Sequence, residues 1–207
     1  MAVNYRVEAD VIDIRTDTPQ PSDEFLVDTN VWYWMTYTRA SLGASPPHTT
    51  QLTDYPNYIN QALSNSSQLR VCGLAFAELL HLVEKTEREI YSAATGQISA
   101  KEFRHNLPSQ RANVVSEVQS AWTQVAALAN SIEANVNDTM INAAVQRFHS
   151  ERLDGYDLFL LEAANAAGIS KVITDDGDFC GVRGIQMFTK NQRVLTAAQT
   201  QGKLVVR

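Results

Sequence analysis

The chain has 207 residues, 44% of them hydrophobic, which is enough for one well-cored domain with room for embellishment. No run approaches the roughly 18 apolar residues of a membrane-spanning helix. Charges in the first twenty-odd residues (Arg6, Glu8, Asp10, Asp13, Arg15, Asp17) leave no apolar core for a secretory signal. A formal net charge of −6 counts against attachment to nucleic acid through an overall basic surface. Two cysteines, Cys72 and Cys180, make no disulfide framework, so the expected compartment is the reducing cytoplasm.

Residues 1–24 read as an N-terminal extension. Val7, Val11, Ile12 and Ile14 suit a short extended segment, and Thr18-Pro19-Gln20-Pro21-Ser22 breaks it. An accessory arm, an edge strand and an oligomer contact are all open for it. The domain proper is then residues 25–207. Phe25-Leu26-Val27 suits a buried parallel strand, and Asp28-Thr29-Asn30 suits the turn and cap of a helix that carries Trp32, Tyr33 and Trp34 into the core. Residues 43–54, rich in Ser, Pro and Thr, predict a loop, with a short helix over 55–65. Leu69-Arg70-Val71-Cys72-Gly73-Leu74 predicts a second strand leading into a helix from Ala75.

From there to about Val136 the pattern is helical, broken at Gly96 and Pro108. Val114, Val118, Trp122, Val125 and Leu128 fall close to the 3.6-residue period. Asp138 suits the cap of a helix reaching Ser150, and Gly168 the close of a helix over 155–167. Lys171-Val172-Ile173-Thr174 and Gly184-Ile185-Gln186-Met187-Phe188 predict two more buried strands. A last helix over 192–201 follows, with a tail strand at Leu204-Val205-Val206. Strands alternating with helices predict a parallel sheet covered on both faces, a three-layer α/β/α fold with a helical elaboration over about 80–149.

The acids fall at informative places on this plan. Asp28 ends the first strand of the domain, Asp176 follows the strand at 171–174, Glu78 opens the helix after the second strand, and Asp157 opens the helix at 155. Ligands of open α/β sheets gather outside the carboxyl ends of the strands. Carboxylates converging there repel one another unless protonated or bound to metal. An all-oxygen set with open positions suits Mg²⁺ or Mn²⁺, which activate water and support phosphoryl displacement. Asp154 competes with Asp157 for the third position. Asp157 is preferred because Leu158, Leu161 and Ala164 after it form an apolar helical face.

At these residues the chain resembles the PIN-domain family. Phe25-Leu26-Val27-Asp28-Thr29-Asn30 is similar to the family's opening strand and acidic turn, and Phe76-Ala77-Glu78-Leu79 to its second motif. Tyr156-Asp157-Leu158 is similar to the third, and Val172-Ile173-Thr174-Asp175-Asp176-Gly177-Asp178-Phe179 carries the T-x-D-x-D-F pattern of the fourth. The resemblance implies a three-layer PIN-like fold, Mg²⁺ or Mn²⁺ as cofactor and hydrolysis of RNA phosphodiesters. Asp28, Asp157 and Asp176 would be metal ligands, Glu78 would bind metal directly or through water, and Asp178 would assist. Asn30 and Thr174 would orient the acids. Many bacterial members are VapC-like toxins with an antitoxin partner, and homodimers are usual. The N-terminal extension and the long spacing from Glu78 to Asp157 depart from the compact family pattern.

Two other readings compete. Glu78-Leu79-Leu80-His81 and Glu102-Phe103-Arg104-His105 are Glu-x-x-His segments of the kind found in di-iron bundles, although the strand-like runs at both ends contradict a bundle. A PIN-like module that binds RNA or protein without catalysis is the other. Lys171 and Arg183 are candidate phosphate contacts. Cys180 lacks the base motif of a thiol nucleophile, and neither a phosphate-cradling glycine loop nor a Gly-x-Ser-x-Gly elbow is present.

Overall fold

Short runs of β-branched and aromatic residues pair into one sheet in the computed structural model, which describes residues 3–45 and 47–207. Its strands are β1 (Asp10–Asp13), β2 (Glu24–Val27), β3 (Gln68–Cys72), β4 (Asn130–Ile132), β5 (Lys171–Ile173) and β6 (Gln186–Thr189). They lie in the order β1-β6-β5-β2-β3-β4, and every pairing is parallel.

Alternation along each strand supplies two apolar faces. Phe25, Val27, Leu69, Val71, Ile173 and Phe188 point to one side. That side is covered by α1 (Thr29–Thr36), α2 (Gln51–Ser64), α3 (Ala75–Thr95), α4 (Ala100–Asn106) and α5 (Pro108–Leu128). Leu26, Cys72, Val172 and Met187 point to the other side, under α6 (Asp138–Ser150), α7 (Gly155–Ala166) and α8 (Gln192–Thr200). The protein is thus a three-layer α/β/α structure with a central parallel sheet, as its sequence pattern predicts. Trp32 and Tyr33 of α1 are buried in the first layer, each contributing on the order of 1.5–3 kcal/mol. They pack the core rather than present a face to bases.

Three sequence expectations change. The helical stretch expected to run to Val136 stops at Leu128, where Ala129 turns extended, and Asn130–Ile132 becomes β4. Free ladder groups on β3 recruit this weakly patterned tripeptide, pairing Arg70 with Asn130 and Cys72 with Ile132. The helical elaboration is therefore split by the sheet, with α3–α5 in one layer and α6 in the other. Residues 51–54, expected in a loop, already belong to α2. Of the openings left for residues 1–24, the edge strand is the one that forms: β1, at the border of the sheet, pairs its residues Asp10–Asp13 with Gln186–Thr189 of β6. Leu204 meets Val11 as an isolated parallel bridge in place of a full tail strand.

A charged lock holds the end of the sheet where β2 and β5 begin. Asp17 and Asp23 are buried beside Arg207, which donates to both at 2.7–2.9 Å. Lys171 donates to Asp23, the Tyr58 hydroxyl to Asp17, and the Arg207 guanidinium lies 4.5 Å from the centre of the Phe188 ring. Burial opposes charge on Asp23, but Arg207, the Gln20 backbone and Lys171 outweigh it and hold the carboxyl at about 2. Removing one partner of such a cluster strands the other charges in the interior. Arg207→Met is expected to cost about 3 kcal/mol, lowering Tm by roughly 6–12 °C at pH 7 in thermal melts. A shift below about 2 °C would show that water compensates the stranded carboxylates.

Candidate active site

All strands point the same way, so their carboxyl ends share one rim. From β2 the chain moves outward to β3 and β4. It then returns to the other side of β2 as β5 and continues to β6. The reversal falls between β2 and β5, the kind of position at which open α/β sheets leave a crevice for ligands. Asp28 directly follows β2, and Asp176 follows β5 by three residues. Glu78 lies in the first turn of α3, which leaves β3, and Asp157 in the first turn of α7, which runs back to feed β5. Adjacent strands therefore bring all four acids to the same rim.

Asp28 is the most constrained of them. Its backbone N–H extends the β2–β5 ladder to Ile173 O at 3.0 Å, and its carboxylate is buried. Oδ1 accepts from Thr29 N at 2.6 Å, which caps α1, while Oδ2 accepts from Asn30 Nδ2 at 2.7 Å and from Thr174 Oγ1 at 2.6 Å. Thr174 in turn accepts from Asp176 N at 2.9 Å, and Asp176 Oδ1 accepts from Asp178 N at 2.9 Å. Asn30 and Thr174 both donate to Asp28, and one hydrogen-bonded path links Asp28 to the loop carrying Asp176 and Asp178.

The electrostatics of the cluster are those of crowded acids. Burial, followed by the charges of Glu78 and Asp176, raises Asp28 to about 7 against the bonds from Thr174 and Thr29. Burial and the charges of Asp28, Asp154, Asp176 and Glu78 raise Asp157 to about 9. Glu78 and Asp178 are also raised, chiefly by burial and then by neighbouring acids. Asp157 is buried, Glu78 and Asp176 are half-buried, and Asp178 is exposed. Asp154, treated in the sequence as a competitor of Asp157, is a neighbour instead. It caps α7 by accepting from Tyr156 N and Asp157 N at 2.9 and 3.1 Å, and its charge acts on Glu78, Asp157 and Asp178.

Several candidates leave the site. Asp175 of the T-x-D-x-D-F pattern is a structural anchor. It accepts from Gln51 and from the Tyr55 hydroxyl, and so ties α2 to the end of β5. Lys171 is paired with Asp23 at the opposite end of the sheet and cannot meet a phosphate at this rim. Glu102 closes a capping box with Ser99, which accounts for one of the two Glu-x-x-His segments. Cys180 is buried and its thiol is raised to about 11, by burial first and then by Asp178 and Asp176, the opposite of an activated nucleophile.

The donor set fits a hard divalent cation: carboxylate oxygens, strong mutual repulsion to relieve, and a buried Thr29 hydroxyl that acts on Glu78 and lowers it against burial and the neighbouring acids. Asp157 has no donor to its carboxylate among the described residues, which leaves both oxygens for a ligand. As the side chains stand, no three His, Cys, Asp or Glu groups among the described residues are gathered closely enough to hold an ion. The acids are spread apart, as like charges in a poorly solvated crevice are expected to be.

No protein-family model matches the sequence, and no curated protein sequence matches it. Among solved structures, the crystal structure of FitAcB from Neisseria gonorrhoeae matches with a TM-score of 0.43 and 14% identity, over 81% of this chain and 99% of that one. No helix among the described residues is long and apolar enough to cross a membrane.

The raised acids set a pH dependence of definite sign. Asp28 and Asp157 have an ordinary value of 3.8 and are held at about 7 and about 9 in the folded protein. The native state therefore binds more protons than the unfolded chain above pH 4, and stability falls as pH rises through this window. Thermal melts in EDTA are expected to show Tm declining from pH 5 to pH 9, with the upper part of the decline flattened in Asp157→Asn. Asp157 is the cleaner choice, because an amide at Asp28 would turn its NH₂ toward that of Asn30. Identical slopes for the variant and the wild type would contradict the coupling.

Proposed function

We propose that this protein is a Mg²⁺- or Mn²⁺-dependent endoribonuclease of the PIN-like kind. The observation that supports this most is the convergence of Asp28, Glu78, Asp157 and Asp176 at the sheet's reversal point, with the first and third pushed to about 7 and about 9 by burial and by the neighbouring acids. Acids so placed are poised to exchange protons for a cation, because the ion neutralises the repulsion that raises them.

In this reading Asp28, fixed by its three donors, is the rigid ligand. Asp157, Glu78 and Asp176, the last held by the Thr174 path, would complete the set that holds the ion, with Asp178 assisting. The bound ion would lower the pKa of a coordinated water and offset charge building on the phosphate. The protein's own part is to place the phosphodiester in the crevice and to take up the proton released by water on a carboxylate. The water oxygen would join phosphorus as the bond to the leaving ribose oxygen breaks, and that oxygen would depart with the proton passed on from the carboxylate, so that one water is consumed and the carboxylate is regenerated. No covalent protein intermediate is involved. By the same resemblance the chain would work in the cytoplasm as a homodimer and as the toxin of a toxin–antitoxin pair, with RNA as substrate and an antitoxin as protein partner.

A PIN-like interaction module without catalysis is the second reading. What favours it is that, among the described residues, no three acids stand in ligating reach as the side chains lie. The two readings part on metal binding. With Mn²⁺ at about 100 times its Kd, ligand linkage adds about 2.7 kcal/mol, a rise in Tm of roughly 5–11 °C. That rise is expected in the wild type and lost in Asp176→Asn. Cleavage of RNA should require the ion, stop in EDTA, and fall in Asp176→Asn by more than the roughly 10–100-fold typical of disturbing a ligand's supporting hydrogen bond. A wild type whose melt ignores millimolar Mn²⁺ would favour the interaction module.

A further inference from the structure

The N-terminal segment does more than supply β1. Glu8 N and Ala9 N donate to Cys180 O at 2.8 and 3.0 Å, and the Gln201 side chain bonds Val7 N and Tyr5 O at 3.0 and 2.9 Å. This stitching presses Tyr5 against Gly177, in the 3-10 turn Gly177–Gly181 between Asp176 and the strand β6. A side chain at Gly177 would run into the Tyr5 ring and displace it, so glycine there leaves room for the approach of residue 5. The charges of Asp178 and Asp176, after burial, raise the Tyr5 hydroxyl, which places that hydroxyl within their field.

Between this segment, the end of α6 and the turn lies a cavity of about 460 Å³, whose wall includes Tyr5, Arg6, Arg152, Asp178 and Arg183. The volume falls in the range of about 300–1,000 Å³ that accommodates small ligands and their equivalents. Asp178 marks the side of the acidic centre, and three exposed arginines stand on the walls together with Glu8 and Glu151. Glu8 steadies two of them, at 2.7 Å from Arg6 and 3.3 Å from Arg183. Glu151 is held by Arg147 at 2.7 Å, and Arg152 has no carboxylate partner among the described residues. In a chain of net charge −6, Arg152 is the guanidinium on this wall left open to a phosphate, with Arg6 and Arg183 sharing the single carboxylate of Glu8 beside it.

We infer that the cavity walled by Tyr5, Arg6, Arg152 and Arg183 holds the sugar–phosphate of the single-stranded nucleic acid next to the cleaved bond, with its phosphate on the arginines. The inference rests on the nuclease reading for the position of the cleaved bond, one step away on the Asp176 side. It makes residues 3–8 part of the substrate site and explains why they are stitched to the turn that carries Asp178.

The test is fluorescence anisotropy in EDTA, where no metal-dependent cleavage occurs, with fluorescein-labelled 12-nucleotide random-sequence RNA and the matching DNA. Arg152→Ala should weaken binding about 5- to 10-fold, and Arg152→Ala/Arg183→Ala further. The slope of log K against log salt should fall by about 0.7 for each lost phosphate contact. Arg152→Lys should restore most of that slope, and Lys101→Ala, on α4 in the opposite layer, should leave binding unchanged. These arginines are exposed, so their replacement spares the core. RNA preferred over DNA would identify the strand as RNA, and equal loss on both would identify the phosphates alone as the ligand. Arginine variants that bind as the wild type does, Lys101→Ala losing as much as Arg152→Ala, or a wild type that binds neither strand would each overturn the cavity assignment. Asp176→Asn separates the two claims, since it should bind RNA at least as tightly as the wild type while losing cleavage. Arg152-dependent binding in a protein that cuts nothing with Mn²⁺ would sink the nuclease reading alone, and Asp176-dependent cleavage with Arg152-independent binding would sink the cavity alone.

Discussion

The hydrogen bond from Thr174 to Asp28 spans the two strands at which the sheet reverses direction, and the geometry of the rim follows from it. A carboxylate buried without donors would be neutral at any ordinary pH. Three donors at 2.6–2.7 Å make ionisation reachable near neutrality, against the pull of burial and of neighbouring charge. Each donor also has a structural duty. Thr29 N opens α1, Asn30 sits in its first turn, and Thr174 anchors the loop to Asp176 and Asp178. The cap of a helix and the floor of a candidate metal centre are therefore one interaction, and the bland and the functional explanations of Asp28 are both true.

What stabilises the protein lies away from this rim. The lock of Asp17, Asp23, Lys171 and Arg207 gathers opposite charges where β2 and β5 begin, while the acids at the other end gather like charges. The same two strands thus carry attraction at one end and repulsion at the other. Such an arrangement concentrates destabilisation where a ligand can relieve it and places its compensation elsewhere. Asp175 shows how narrow the border is. Next in sequence to Asp176, it is committed to Tyr55 and Gln51 and belongs to the scaffold.

Much of the rim was legible because each acid follows a short apolar run or opens an apolar helical face. Phe25-Leu26-Val27 before Asp28, and Val172-Ile173 before Thr174, mark strand ends without any knowledge of pairing. Three things were not legible. The tripeptide Asn130-Ser131-Ile132 has little strand character and becomes β4 only because β3 offers an open edge. Lys171 read as a cation near a strand associated with the site, but strand direction sends it to the far end. Tyr5, Arg6 and Arg152 carry no local signal, since Tyr5 and Arg6 lie more than 140 positions from Arg152, Gly177 and Asp178, which they meet only in the fold. The glycine in Asp176-Gly177-Asp178 was a trace of that contact, though its sequence context suited an ordinary turn just as well.

The two borders of the sheet bear on how this protein can meet others. Along β1, Val11 N donates to Lys203 O and Val205 N to Val11 O, so the chain's own tail already occupies that border. At the other border β4 is three residues long, too short to template a further strand of useful length. Association by adding a strand is thereby discouraged on both sides. That leaves the helical layers as the surfaces open to a partner, where side-chain shape and charge do the selecting, in place of backbone pairing, which accepts almost any extended peptide.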